Sequence, residues 1–199
     1  MPLRDRIVAG VFATTLLAMR GFPRPIAAQS TNAAKSLPSK DPIDTTQGPA
    51  PCASDPDRRR FDFWAGDWDV VNKDGALVGR SNVHVVSGGC GLLENWTSLR
   101  GPTGKSLNAY NPQTHQWQQY WVGQGGLVTE YRESTWDGKS LSFISRPPAS
   151  TERAPMLRLT FTPLDDGSVR QHGEQSTDGG TTWTTTYDFF YRRKLLLSP

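Results

Sequence analysis

The sequence predicts an all-β fold, an antiparallel up-and-down β-barrel of about ten strands. Three observations predict it. Short segments rich in Val, Trp, Tyr and Thr are separated by reversals built from Gly, Asp and Asn. Several of those segments alternate with period two, the period of a strand. Helical periodicity is almost absent from residues 61–193. A chain of 199 residues suits one domain. It is too short for a TIM barrel of roughly 250 residues or for a multi-bladed propeller. Closing the sheet hides the edges that an open sheet leaves exposed.

Residues 1–28 read as a secretory signal peptide. Arg4 and Arg6 make a basic start, residues 7–19 are apolar, and Ala27-Ala28 form a small-residue exit. The apolar run is shorter than the roughly 20 residues that span a bilayer, although a retained membrane anchor is the alternative. The protein is thus expected to be exported, to a periplasmic or extracellular space, with no transmembrane segment after cleavage. The leader holds four arginines and one aspartate, so the remainder has 18 basic and 18 acidic residues. A neutral domain without a basic face is not a nucleic-acid binder.

Residues 29–57 are rich in Ser, Thr, Pro, Ala and Asp, and read as a disordered linker. The barrel domain is expected over residues 58–195. Cys52 and Cys90 are the only cysteines. In an oxidising compartment they are expected to form one disulfide, with two separate thiols as the alternative. No CxxC or HxxxH spacing points to a metal.

The reversals follow in order. Lys73-Asp74-Gly75 ends a strand carrying Trp68, Val70 and Val71. Ser87-Gly88-Gly89, Asn111-Pro112-Gln113-Thr114 and Gly123-Gln124-Gly125-Gly126 divide the next strands. Asp137-Gly138, Asp165-Asp166-Gly167 and Asp178-Gly179-Gly180 mark the rest. Period two puts Trp117, Gln119 and Trp121 on one face, Glu94 with Trp96, and Ser106 with Asn108 and Tyr110. Gln171 is placed inward with them. A face mixing large aromatics, amides and a carboxylate suits a ligand cavity better than an aliphatic core. The alternative is that it is the outside of the barrel.

Gly66-Asp67-Trp68 on the first strand is a G-x-W, and Arg192 and Arg193 lie on the last. This combination resembles lipocalin-like (calycin) barrels. That resemblance implies that Trp68 packs across the closed end beneath a last-strand arginine, here assigned to Arg192, with Gly66 the structural glycine of the motif. The longer run Phe61-Asp62-Phe63-Trp64-Ala65-Gly66-Asp67-Trp68-Asp69-Val70 resembles the opening of an uncharacterised bacterial family of secreted lipocalin-like proteins. Further similarities are Gly89-Cys90, Glu94-Asn95-Trp96, Ser106-Leu107-Asn108 with Tyr110, then Trp117, Gln119, Trp121 and Val122, and last Val169-Arg170-Gln171, Ser176 to Trp183 and Tyr191-Arg192. The resemblance spans about residues 52–193 and implies a calycin-type barrel and export, but no catalytic residue. Gly123 departs from the Asp expected there. Residues 176–183 also match the Asp-box, S-x-D-x-G-x-T-W, whose role is that of a well-made hairpin turn.

The ligand-binding candidates are therefore Glu94, Trp96, Ser106, Asn108, Trp117, Gln119, Trp121 and Gln171. The partner they suit is a small, partly apolar molecule. Glu94 is the catalytic candidate, with Glu130 next: a carboxyl among tryptophans has a raised pKa and can act as acid or base. That chemistry suits an isomerase, cyclase or hydratase. The alternative is a Glu94 paired with Arg132 or Arg170. No cofactor is expected: His115 reads as solvated, His172 as outward and His84 as on the face opposite Val83 and Val85, with an axial haem ligand as the alternative. A third reading is a structural or interaction barrel whose interior is filled.

Overall fold

The computed structural model describes residues 52–148 and 154–194. The expected signal peptide and residues 29–51 of the expected linker lie outside the described residues. The fold is all-β, one antiparallel sheet of eleven strands. They are β1 (Gly66–Asn72), β2 (Leu77–Val86), β3 (Gly91–Ser98), β4 (Gly104–Asn111), β5 (Gln116–Gly123) and β6 (Val128–Tyr131). Then come β7 (Glu133–Trp136), β8 (Leu141–Ser145), β9 (Met156–Pro163), β10 (Val169–Ser176) and β11 (Thr184–Arg193). The order across the sheet is β6-β5-β4-β3-β2-β1-β11-β10-β9-β8-β7.

The two ends of that order, β6 and β7, follow one another in the chain with only Arg132 between them. β6 bonds to β5, and β7 bonds to β8. One long strand thus changes neighbour halfway along. The result is a nearly closed up-and-down barrel of ten staves, one of them split. The Gln118 side-chain amide donates to the Arg132 carbonyl at 3.3 Å and ties the seam. Among the described residues, no helix is long and apolar enough to cross a membrane.

The turns form where the side chains cap them. Asn72 accepts the backbone N–H of Asp74 at 3.0 Å and of Ala76 at 2.9 Å, while Gly75 takes φ +80°. Asp178 accepts the Thr182 N–H at 2.9 Å and its hydroxyl at 2.6 Å, and these bonds hold its carboxyl well below the usual range. The Trp183 indole closes the same hairpin on the Gly180 carbonyl at 3.0 Å.

Cys52 to Asp57, assigned by sequence to the linker, form a turn and the start of α1 (Pro56–Arg59). Cys52 is bonded to Cys90 in a disulfide with 5.1 Å between Cα atoms. Closing that loop is worth roughly 3–4 kcal/mol by chain entropy. The segment then runs across one end of the barrel and plugs it. Phe61 and Trp64 are fully buried there, stacked at 5.0 Å, with Phe161 4.8 Å from Phe61 and 4.6 Å from Trp64. Burying each ring contributes roughly 1.5–3 kcal/mol. Polar groups fix the plug: the Trp117 indole donates to the Asp57 carbonyl and the Trp68 indole to the Trp64 carbonyl, both at 2.9 Å.

The arginine over Trp68 is Arg193, not Arg192. Its guanidinium carbon sits 4.0 Å from the ring centroid and its Nη1 donates to the Ala65 carbonyl at 2.9 Å. Register decides this. Arg193 lies opposite Trp68, on the same side of the sheet, whereas Arg192 lies opposite Asp69. The guanidinium fills the space a side chain at position 66 would need, and Gly66 takes φ +149°, so only glycine fits.

Candidate functional site

The inward face of the plugged half is filled by Phe61, Trp64, Trp68, Trp117, Phe143 and Phe161. The opposite half is not. A cavity of about 300 Å³ lies there, walled by Trp96, Trp121, Leu157, Tyr187 and Phe189, with Glu94, Gln119 and Gln171 among its lining. Its mouth carries Pro102 and Leu127 from the β3–β4 and β5–β6 turns.

Glycines make the room. A side chain at Gly79 would strike the Trp96 indole, one at Gly104 the Trp121 indole, and one at Gly173 the Tyr187 ring. Each ring lies flat on a neighbouring strand where no Cβ stands, instead of projecting into the lumen. Trp96 stacks on Phe189 with centroids 6.1 Å apart, and Phe189 stacks on Tyr187 at 4.8 Å. The Trp96 N–H is spent on the Pro102 carbonyl at 3.1 Å, leaving its face to the cavity.

The floor is polar and buried. Glu94 is 3% exposed and accepts three hydroxyls: Ser81 on Oε1 at 2.9 Å, Tyr191 on Oε1 at 3.2 Å and Ser106 on Oε2 at 3.1 Å. Asn108 donates to the Ser106 hydroxyl at 3.0 Å and to the Leu92 carbonyl at 3.3 Å. Gln119 donates to the Asn108 side-chain oxygen at 2.7 Å. The Tyr191 hydroxyl also meets the Gln171 oxygen at 3.0 Å. Burial pushes the Glu94 carboxyl up from 4.5 to about 7, against the three hydroxyls that favour its ionised form. Burial also raises Tyr131 to about 12, and Tyr187 and Tyr191 well above the usual phenol range. No Lys, Arg or His lines the cavity among the described residues.

The sequence candidates fall into three depths. Glu94, Trp96, Gln119, Trp121 and Gln171 line the cavity. Ser106 and Asn108 are buried behind the floor and hold Glu94 and Gln119 in place. Trp117 lies in the plugged half with its N–H on the Asp57 carbonyl. Glu130 is on the outer wall, paired with Arg132. Arg132 and Arg170 do not pair with Glu94: Arg170 bonds Asp188 at 2.7 Å. His84, His115 and His172 bond Asn82, Tyr110 and Thr185 respectively, away from the cavity. Sequence reasoning passed over Ser81, Tyr131, Tyr187 and Phe189. The alternation Tyr187, Phe189, Tyr191 on β11 was the available signal for the last two; Ser81 carried none.

A larger hollow of about 730 Å³ lies where β6 parts from β8, and it shares Leu127, Thr129 and Leu157 with the lining of the cavity. Its charged rim is paired, Glu130 with Arg132 and Glu133 with Arg146. Among the described residues, no group of acidic, His or Cys side chains is placed to hold a metal ion. The chain matches no protein-family model, and no curated protein compared with it matches. The functional reading rests on the cavity.

Proposed function

We propose that this protein is an exported barrel that binds a small, partly apolar molecule in the open half of its lumen. The observation that carries the reading is the aromatic-walled cavity whose floor presents amide groups aimed at the lumen. Its volume of about 300 Å³ sits at the lower end of the roughly 300–1,000 Å³ of small-molecule sites. The disulfide and the leader-like residues 1–28 support export. The resemblance to secreted lipocalin-like proteins is consistent with the barrel.

Native mass spectrometry of the protein from its exported fraction tests this. A small-molecule adduct on the wild type that Trp121→Ala loses is the expected result. A bare mass, together with no saturable quenching of tryptophan fluorescence by bicyclic aromatic probes, overturns it.

One observation favours a second reading. Glu94 borders the cavity with a carboxyl that titrates at about 7, suited to giving and taking a proton at neutral pH. In that reading the barrel is a non-hydrolytic enzyme of the isomerase, cyclase or hydratase kind. Its mark is turnover of the retained molecule that Glu94→Gln abolishes while the molecule still binds.

A further inference from the structure

The hydrogen atoms of the cavity floor can be counted, and the count specifies a ligand. Asn108 is anchored by the Leu92 backbone carbonyl, which can only accept, so its nitrogen points there and its oxygen points to Gln119. Gln119 must then donate with Nε2, which turns its Oε1 toward the lumen as an acceptor. Ser106 accepts from Asn108 and so gives its own hydrogen to Glu94. Tyr191 has one hydrogen and two oxygens to serve, that of Gln171 at 3.0 Å and that of Glu94 at 3.2 Å. If it serves Gln171, then Glu94 holds a proton and donates it to the Tyr191 oxygen. Gln171 Nε2, which has no protein partner among the described residues, then faces the lumen as a donor.

We infer that the ligand is an uncharged, flat molecule whose buried end carries both a hydrogen-bond donor, received by Gln119 Oε1, and a hydrogen-bond acceptor, received by Gln171 Nε2. The inference rests on the ligand-binding reading above and deepens it. A carboxylate or phosphate would enter beside Glu94 with no Lys, Arg or His to neutralise it, which a buried site does not tolerate. The flat shape follows from the parallel Trp96–Phe189–Tyr187 stack on one wall.

The donor at Gln171 depends on the Glu94 proton. When Glu94 ionises, Tyr191 turns its hydrogen to the carboxylate, and the Gln171 amide flips to donate to the Tyr191 oxygen. The lumen then meets an oxygen where it had a nitrogen. The groups facing Glu94 are Ser81 from β2, Ser106 from β4 and Tyr191 from β11, with Tyr187 and Tyr131 beyond. None is basic, so nothing in the floor competes for the proton. Affinity for the acceptor-bearing ligand therefore falls as pH rises through about 7.

Isothermal titration of the full domain with four bicyclic probes at pH 6 and pH 8.5 tests the inference. The probes are 2-quinolone (neutral, N–H and C=O), naphthalene (apolar), 2-naphthoate (anion) and N-methylquinolinium (cation). At pH 6 the expected result is 2-quinolone binding about tenfold or more tighter than naphthalene, one or two net hydrogen bonds' worth. That preference shrinks at pH 8.5, and 2-naphthoate binds weakest. Gln119→Leu and Gln171→Leu each reduce the quinolone-to-naphthalene ratio by about tenfold. Tyr191→Phe flattens its pH dependence, and melting temperatures report that each variant folds. Naphthalene binding with no preference for 2-quinolone, or with either ion binding tighter, overturns the inference and leaves the ligand-binding reading standing. Failure of all four probes to bind overturns the inference, and together with a bare native mass it overturns the ligand-binding reading as well.

Discussion

Replacing Glu94 by glutamine should make this protein more stable at alkaline pH and leave it unchanged in acid. The carboxyl is 3% exposed, with three hydroxyl partners and, among the described residues, no cation. Its pKa rises from an ordinary 4.5 in the unfolded chain to about 7 in the fold. The folded state therefore holds a proton that the unfolded state has released between those two values. Stability falls as pH rises through that window and levels off above it. At about 1.4 kcal/mol for each pH unit between the two values, the loss is about 3 kcal/mol by pH 8. Glutamine has nearly the same shape, keeps an oxygen for Ser81 or Ser106, and carries no charge to desolvate. Urea unfolding of both proteins at pH 4.5, 6, 7 and 8 measures the effect. The curves should meet near pH 4.5 and diverge to about 3 kcal/mol in favour of the variant at pH 8. Parallel curves, or a variant less stable at pH 8, would refute the account of a carboxyl buried without a counter-ion.

Three further outcomes are expected. Alanine at both Cys52 and Cys90 should cost roughly 3–4 kcal/mol in chemical denaturation, the amount by which reductant destabilises the wild type. Arg193→Ala should cost about 1–2 kcal/mol through its lost cation–π contact and hydrogen bond, against under about 0.5 kcal/mol for Arg192→Ala; equal costs would reverse the assignment of the clasp. Trp64→Phe should be milder than Trp68→Phe in thermal melts. The buried Trp64 indole N–H has no partner among the described residues, whereas that of Trp68 donates at 2.9 Å.

The architecture was legible because turn chemistry and strand period are local. Asn72, Asp137, Asp166 and Asp178 each bond backbone N–H groups within four residues of themselves, so the sequence shows the turn directly. Period two likewise put Trp117, Gln119 and Trp121 on the inward side of β5. It reports the side of a strand and not the depth, and depth separates Trp117 in the plug from Trp121 in the cavity wall. Depth is set by residues 61–64, which belong to no strand. The Glu94 partners were hidden for a related reason: Ser81, 13 positions away, is brought in by the register of the β2–β3 hairpin, and Tyr191, 97 positions away, only by closure of the barrel. The Arg192 assignment failed by one residue because the β1–β11 register pairs the two ends of the domain, where no turn sets it.

The split strand at Arg132 bears on how the barrel assembles. Among the described strands, every ladder but one joins strands adjacent in the sequence, and the exception is β1 with β11, which pairs Trp68 with Arg193. Residues on either side of Arg132 thus belong to two meanders, β1–β6 and β7–β11, each able to zip from its own turns. The step that makes the lumen is the late meeting of the first and last strands, at the loop-closure cost of nearly the whole domain. A circular permutant that opens the chain at Arg132 and links residue 194 to residue 52 would turn that one distant ladder into a local hairpin. It should fold faster than the natural order while keeping the same walls.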